Sequence, residues 1–150
     1  MEDEKIEKLR ERIQDIKVAM LTTVDEDGKL HSRPMATEQV ASDGTLWFFT
    51  RADSPKIKEL AHDERVNVSY SDPDDDTYVS IAGRARVVRD RERAAELWSP
   101  LYKAWFPQGL DDPELALVNV RIEQAQYWDR GSRKMVELLQ GGSEKLDLTG

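Results

Sequence analysis

The sequence predicts a mainly β domain: a small closed or split antiparallel barrel of six or seven strands, with an N-terminal helix and further peripheral helices. Two observations carry this reading. Short segments of alternating apolar and polar residues recur along the chain, separated by Asp-Gly and Pro-containing turns. The early segments also follow one another as a meander, with no regular strand–helix–strand alternation, which favours antiparallel pairing. A length of 150 residues fits one domain over residues 1–150. A domain of this size buries roughly 68–70% of its unfolded-chain surface, enough for a true core.

The elements follow in order. Residues 4–16 carry Ile6, Leu9, Ile13 and Ile16 at spacings of three and four among charges, an amphipathic helix suited to closing one end of the fold. Its polar face is not predominantly basic, which argues against a membrane-surface role. Val18–Val24 and Lys29–Ala36 read as strands around Asp25-Glu26-Asp27-Gly28, where Asp-Gly supplies positive φ. Ser42-Asp43-Gly44 joins a strand over Thr37–Ala41 to one over Thr45–Thr50. Ser54 and Pro55 make the N-cap and first position of a helix that buries Ile57, Leu60 and Ala61. Arg65–Ser71 alternates, with Val66, Val68 and Tyr70 on one side, and residues 72–76 form a solvated turn.

Thr77–Val88 is the longest predicted strand. Val79, Ile81, Ala85 and Val87 face one way, with Gly83 among them; Tyr78, Ser80, Arg84 and Arg86 face the other. Gly83 marks a bulge, or a close approach by another backbone or a ligand. Asp90 caps a helix carrying Ala94, Leu97, Trp98 and Leu101. Pro100 either kinks that helix or restarts a second one through Trp105. Pro107-Gln108-Gly109 ends it, and Asp112-Pro113-Glu114-Leu115 suits one more turn. Ala116–Ile122 alternates again, Gln126-Tyr127-Trp128 continues that strand past an irregularity, and the chain from Gly141 reads as a frayed tail.

Composition excludes several functions. Net charge is −8, which argues against nonspecific binding to nucleic acid or to an anionic membrane. There is no cysteine, so disulfides, thiolate zinc sites and cysteine nucleophiles are ruled out. The acidic N-terminus lacks the apolar core of a signal peptide, and no apolar run approaches the ~20 residues of a membrane span; a cytoplasmic protein is expected. His31 and His62 are the only histidines and have no second histidine at metal-ligand spacing, so no metal site is expected. No dinucleotide-binding glycine motif, P-loop or nucleophile elbow occurs. No catalytic acid, base or nucleophile stands out, so any chemistry is expected from a cofactor.

One stretch, Ser32 to Leu60, combines what a phosphorylated aromatic cofactor needs. Arg33, Thr50, Ser54 and Lys56 are candidate phosphate partners. Met35 and the Trp47-Phe48-Phe49 strand supply apolar wall, although strand alternation sends at least one of the three aromatics to the core. The bland reading of Arg33 is a strand arginine paired with an acidic neighbour. That of Ser54 is a helix cap. Trp98 and Trp105 at helical spacing read as core or as a dimer surface.

Five short segments then carry a resemblance. They are Ala19-Met20-Leu21-Thr22-Thr23, Ser32-Arg33-Pro34-Met35-Ala36, Leu46-Trp47-Phe48-Phe49-Thr50 with Ser54-Pro55-Lys56, Ala82-Gly83-Arg84-Ala85, and Tyr127-Trp128. In this order the chain resembles the flavin-binding split barrels of the pyridoxamine 5′-phosphate oxidase superfamily, in particular their general-stress-protein-like branch, over roughly residues 6–140. The resemblance implies a homodimer with FMN in clefts between subunits, and an oxidoreductase using a small-molecule reductant. It implies cofactor contacts for Arg33, Pro34, Met35, Phe49, Thr50, Ser54 and Lys56. It also implies contacts for Tyr78, Ser80 and Trp128, with Trp128 reaching across from the other subunit.

Departures from the fuller oxidases matter. Pro55 stands where they carry a second basic residue, Tyr78 where they carry glutamine, and the segment after Trp128 has no histidine. Pyridoxamine phosphate oxidation is therefore disfavoured while flavin binding is kept. The rival expectations are a flavin-holding sensor without turnover, and the same barrel with a deazaflavin or haem.

Overall fold

The computed structural model describes residues 2–140. The predicted barrel is there. Strands β1 (Val18–Val24), β2 (Leu30–Val40), β3 (Thr45–Arg51), β4 (Arg65–Asp72), β5 (Thr77–Val88), β6 (Leu115–Asp129) and β7 (Lys134–Gln140) form one sheet in the order β3-β2-β1-β4-β5-β6-β7. An added β3–β6 pairing closes six of them into an antiparallel barrel and leaves β7 outside on β6. The inward residues of each strand fill the barrel: Leu21, Phe48, Val68, Ile81, Val118 and Val120 are all fully buried. Helix α1 (Glu2–Ile13) closes one end with Ile6, Leu9 and Ile13, while α2 (Pro55–His62) and α3 (Arg91–Leu97) lie on the periphery.

A second apolar layer sits outside the barrel wall. Trp47, Ala94, Phe106, Leu115 and Leu117 are buried there, with Phe49, Trp98 and Tyr102 packed against them. Phe49 contacts Trp98 edge-on at 6.0 Å and Tyr102 at 4.8 Å. Alternation along β3 thus places Phe48 inside the barrel and Trp47 and Phe49 outside it, under α3 and its following 3₁₀ turn at Pro100–Ala104. Trp98 is part of this layer, whereas Trp105 is 59% exposed.

Several predicted boundaries move, each for a physical reason. The first helix ends at Ile13, not at residue 16, because the chain must turn into β1; by Lys17 its carbonyl already accepts from Thr37 N–H. Ile16 still packs on the core, from that turn. The strands expected over Lys29–Ala36 and Thr37–Ala41 are one strand, β2. Its first part pairs with β1 and its last part with β3, across an irregularity between Thr37 and Gln39. Pro100 ends α3's region and restarts the chain as a 3₁₀ turn, so the divided alternative holds. The turn expected at Asp112 is a single hydrogen-bonded one, with Leu115 N–H donating to the Asp112 carbonyl at 3.1 Å, and it does not grow into a helix. A 3₁₀ turn at Gly109–Asp111 precedes it, and the buried Asp112 carboxylate ties the loop by accepting from Gln108 N–H and Glu114 N–H. Strand β7 was not expected. Its charged sequence lacks clean alternation, and it forms because a tight turn with Arg133 at φ 58° folds it back on β6. The tail from Gly141 lies outside the described residues.

Gly83 sits where the β5–β6 register shifts, as its place in the alternation predicted. A Cβ there would meet the Arg121 carbonyl oxygen at 2.3 Å, so the close approach is by neighbouring backbone.

Candidate functional site

The residues of the stretch Ser32–Leu60 converge because β2 and β3 are hydrogen-bonded neighbours and α2 starts directly after β3. Between them lies an open cleft of about 460 Å³. Pro34, Met35, Ala36, Phe49, Thr50, Ser54 and Lys56 line it on the barrel side, and Tyr102, Trp105 and Phe106 close it from the 3₁₀ segment. Six of the residues expected to hold a cofactor, Pro34, Met35, Phe49, Thr50, Ser54 and Lys56, therefore share one wall.

Lys56 is the unusual member. It is only 9% exposed. Its ammonium donates to Thr50 Oγ1 and to Ser54 Oγ, both at 2.8 Å. Among the described residues no carboxylate lies within ion-pair distance of it. Burial, followed by repulsion from nearby Arg33, pulls its pKa below the ordinary lysine value, against the smaller opposing attraction of Asp53 and Glu59. A cation held in place by two neutral hydroxyls and destabilised by another cation is poised for an anion. Ser54 has two tasks: it caps α2 by accepting weakly from Lys56 N–H and it holds the Lys56 side chain.

Arg33 sits beside this seat but is already engaged. Its guanidinium donates to Glu59 Oε1 at 2.8 Å, to Thr23 Oγ1 at 2.7 Å and to the Leu21 carbonyl at 3.3 Å. Thr23 in turn donates to Glu59. The Thr23 hydroxyl first, and Arg33 second, hold the Glu59 carboxyl below its ordinary range. The acidic-partner reading of Arg33 is thus realised in the isolated chain, and the guanidinium does not line the cleft.

Tyr78, Ser80 and Trp128 do not join this group within one chain. They lie on β5, three strands along the sheet order from β2, and on β6, one strand further. Ser80 accepts from Asn67 Nδ2 at 3.1 Å, and Trp128 pairs with Met135. Yet one continuous row of paired residues, Pro34–Met20–Ser69–Ser80–Gln126, links the edge of the cleft to this region on the outer face.

Sequence reasoning missed Glu38 and Tyr102. The Tyr102 hydroxyl donates to Glu38 Oε2 at the cleft's far end. Burial raises the Glu38 pKa, against the opposing effect of that hydrogen bond; burial and the Glu38 carboxylate together raise that of Tyr102. The two residues are 64 positions apart, and no local pattern joins them.

Comparison with known proteins shows the family and the fold. Residues 4–149 match the family described as pyridoxamine 5′-phosphate oxidase like. The chain is 33% identical over 135 residues to Protein bli-3 of Neurospora crassa, covering 83% of this chain and 65% of that relative, so it spans about two thirds of that protein's length. It is 30% identical over 126 residues to General stress protein 26 of Bacillus subtilis, covering 81% of this chain and 86% of that one. The crystal structure of the general stress FMN/FAD binding protein from Xanthomonas citri superposes with a TM-score of 0.71 at 32% identity, over 93% of this chain and 94% of that chain. The chain therefore belongs to the pyridoxamine 5′-phosphate oxidase-like family.

Proposed function

We propose that this protein is an FMN-binding flavoprotein of the general stress type, working as a homodimer with oxidoreductase capacity. The observation that carries the proposal is the buried Lys56 ammonium, without a carboxylate partner among the described residues, opening onto an apolar cleft. A phosphate monoester matches that seat: Lys56, the Ser54 and Thr50 hydroxyls and the start of α2 present positive charge and donors to it. Met35, Phe49 and the 3₁₀ segment offer flat apolar wall to a ring system. Bound FMN would supply the hydride- and electron-accepting chemistry. The chain's own residues anchor it, exclude water from one ring face and set its polar surroundings.

The shared-cleft part of the proposal rests on the outer sheet face. Val18 and Met20 are 55% and 40% exposed there. Their outward neighbours Thr22, Asn67, Ser69, Ser71, Tyr78, Ser80 and Ala82 include no charged residue, in a chain that is 35% charged. An uncharged face beside the cleft suits a second copy, whose Tyr78, Ser80 and Trp128 would then meet the ring.

The test is a visible spectrum of the purified protein, mass spectrometry of any released chromophore, and FMN titration of the apo form. A yellow protein releasing FMN, dimeric by light scattering, is the expected result. A colourless protein that fails to bind added FMN removes the cofactor reading. A micromolar monomer removes the shared cleft, and recovery of a deazaflavin replaces FMN.

A further inference from the structure

A larger hollow, of about 540 Å³, lies between α1 and β2. It shares three lining residues with the cleft: Ala36, Glu38 and Tyr102. Glu38 therefore borders both compartments. It stands away from the phosphate seat, because Thr37 pairs with Phe48, which sets Thr50, the partner of Lys56, about level with Met35. Glu38 is three residues further along β2, or roughly 10 Å. On the hollow's side Gln14, Lys17 and Gln39 are exposed to solvent. Glu38 itself is half-buried, accepts from the Tyr102 hydroxyl and has no ion-pair partner among the described residues. The cations on the surrounding elements are engaged elsewhere. Arg10 bonds Glu7 and the Val40 carbonyl, Arg51 bonds Asp53 and the Trp105 carbonyl, and Arg93 bonds Gln39 and Glu96. Lys17 lines the hollow, and Lys56 is held by Thr50 and Ser54 at the seat.

We infer that Glu38 is the proton relay of the cleft: it passes protons between the water of the α1–β2 hollow and the ring end of the cofactor, with Tyr102 as the positioning residue that holds it. The inference rests on the flavin reading of the cleft. Phosphate at Lys56 directs the ring toward Glu38, and a ring seated against the apolar wall shuts bulk water out of that wall. A hydride donor such as a reduced nicotinamide hands over two electrons with one hydrogen nucleus and is itself oxidised, which leaves one added negative charge in the cleft. A proton from water in the hollow then binds the Glu38 carboxylate and neutralises that charge. Burial already favours the protonated form of Glu38. The Tyr102 ring packs on Phe49 at 4.8 Å, so its hydroxyl fixes the carboxylate at the junction of the two compartments.

The test is the midpoint potential of the FMN-loaded protein between about pH 5 and pH 9, by equilibration with a reference dye, for wild type, Glu38→Gln and Tyr102→Phe. At the acid end Glu38 is protonated, and Glu38→Gln should match wild type. As pH rises, the wild-type carboxylate opposes charge on the ring. The potential of Glu38→Gln should then climb above wild type, reaching about tenfold in the reduction equilibrium, or about 30 mV for a two-electron couple, by about pH 8. Tyr102→Phe should keep the wild-type profile displaced to higher pH, because the lost hydrogen bond favoured the ionised carboxylate. In wild type alone, the Glu38 side-chain carboxyl carbon should titrate at higher pH, by NMR, with the cofactor reduced than with it oxidised. Equal titration in the two states, or a gap between Glu38→Gln and wild type that does not change with pH, overturns the relay. An undisplaced Tyr102→Phe profile overturns the positioning role. Loss of FMN binding in a folded Glu38→Gln assigns that residue to anchoring and also overturns the relay. A wild type that binds no flavin overturns the flavin reading beneath it. Near-native melting curves establish that the variants are folded.

Discussion

Replacing Lys56 by methionine separates anchoring from architecture. The methionine keeps the length and apolar stem of the buried side chain but removes the ammonium that touches Thr50 and Ser54. A hydrogen bond to a charged group contributes about 1.5–3 kcal/mol, so losing the phosphate's main cation should weaken FMN binding about 10- to 150-fold. Stability should respond differently. The variant loses a desolvated cation and its repulsion by Arg33, but strands the Thr50 hydroxyl, which is 5% exposed. These opposing effects should leave the apo protein within about 1 kcal/mol of wild type, or about 2–4 °C in Tm. The assay is FMN titration by fluorescence together with thermal melting of the apo form. The pH dependence gives a further check. Because the folded pKa of Lys56 lies below the ordinary 10.5, the unfolded chain binds more protons between the two values. Apo stability should therefore gain a Lys56-dependent contribution as pH rises through that window, while FMN affinity falls. An unchanged Kd in Lys56→Met would refute the phosphate seat. An apo form melting more than ~10 °C lower would show that the ammonium is structural.

Glu59→Gln should free Arg33 and remove a charge near the phosphate, tightening FMN binding about fivefold by the same titration. The Glu59 carboxyl, held below its ordinary 4.5, stabilises the fold above that pH and ceases to as pH falls through its folded value; acid unfolding of the Gln variant should lack this contribution. Gly83→Ala places a Cβ against the Arg121 carbonyl and should cost about 3 kcal/mol, about 6–12 °C in a thermal melt. Tyr70, buried and bonded to Thr37, has its pKa pushed up to about 12, so above pH 10 the unfolded chain binds fewer protons and stability falls. Tyr70→Phe should flatten that alkaline decline in denaturant titrations.

Where the information was local, the sequence was enough. Alternation set the inward and outward faces of β4 and β5, and Gly83 announced its tight contact, because a strand's period and a missing Cβ are properties of a few adjacent residues. Ser54-Pro55-Lys56 likewise marked the start of α2 and put Lys56 near Thr50, only six positions away. Strand β7 escaped notice because an edge strand with charged residues has no buried face to impose a pattern. The remaining features depend on distant segments meeting. Barrel closure by β3 on β6, the capture of Arg33 by Glu59, and the Glu38–Tyr102 contact join residues 26 to more than 60 positions apart. A charge's partner is decided by which backbone brings it within a few ångströms. So the sequence by itself determined which cationic and hydroxyl side chains stand close together along the chain, the ones proposed to hold an anion. The tertiary structure decided their partners: among the described residues the Lys56 ammonium meets two hydroxyls and no carboxylate within ion-pair distance, whereas Arg33 is bound to Glu59.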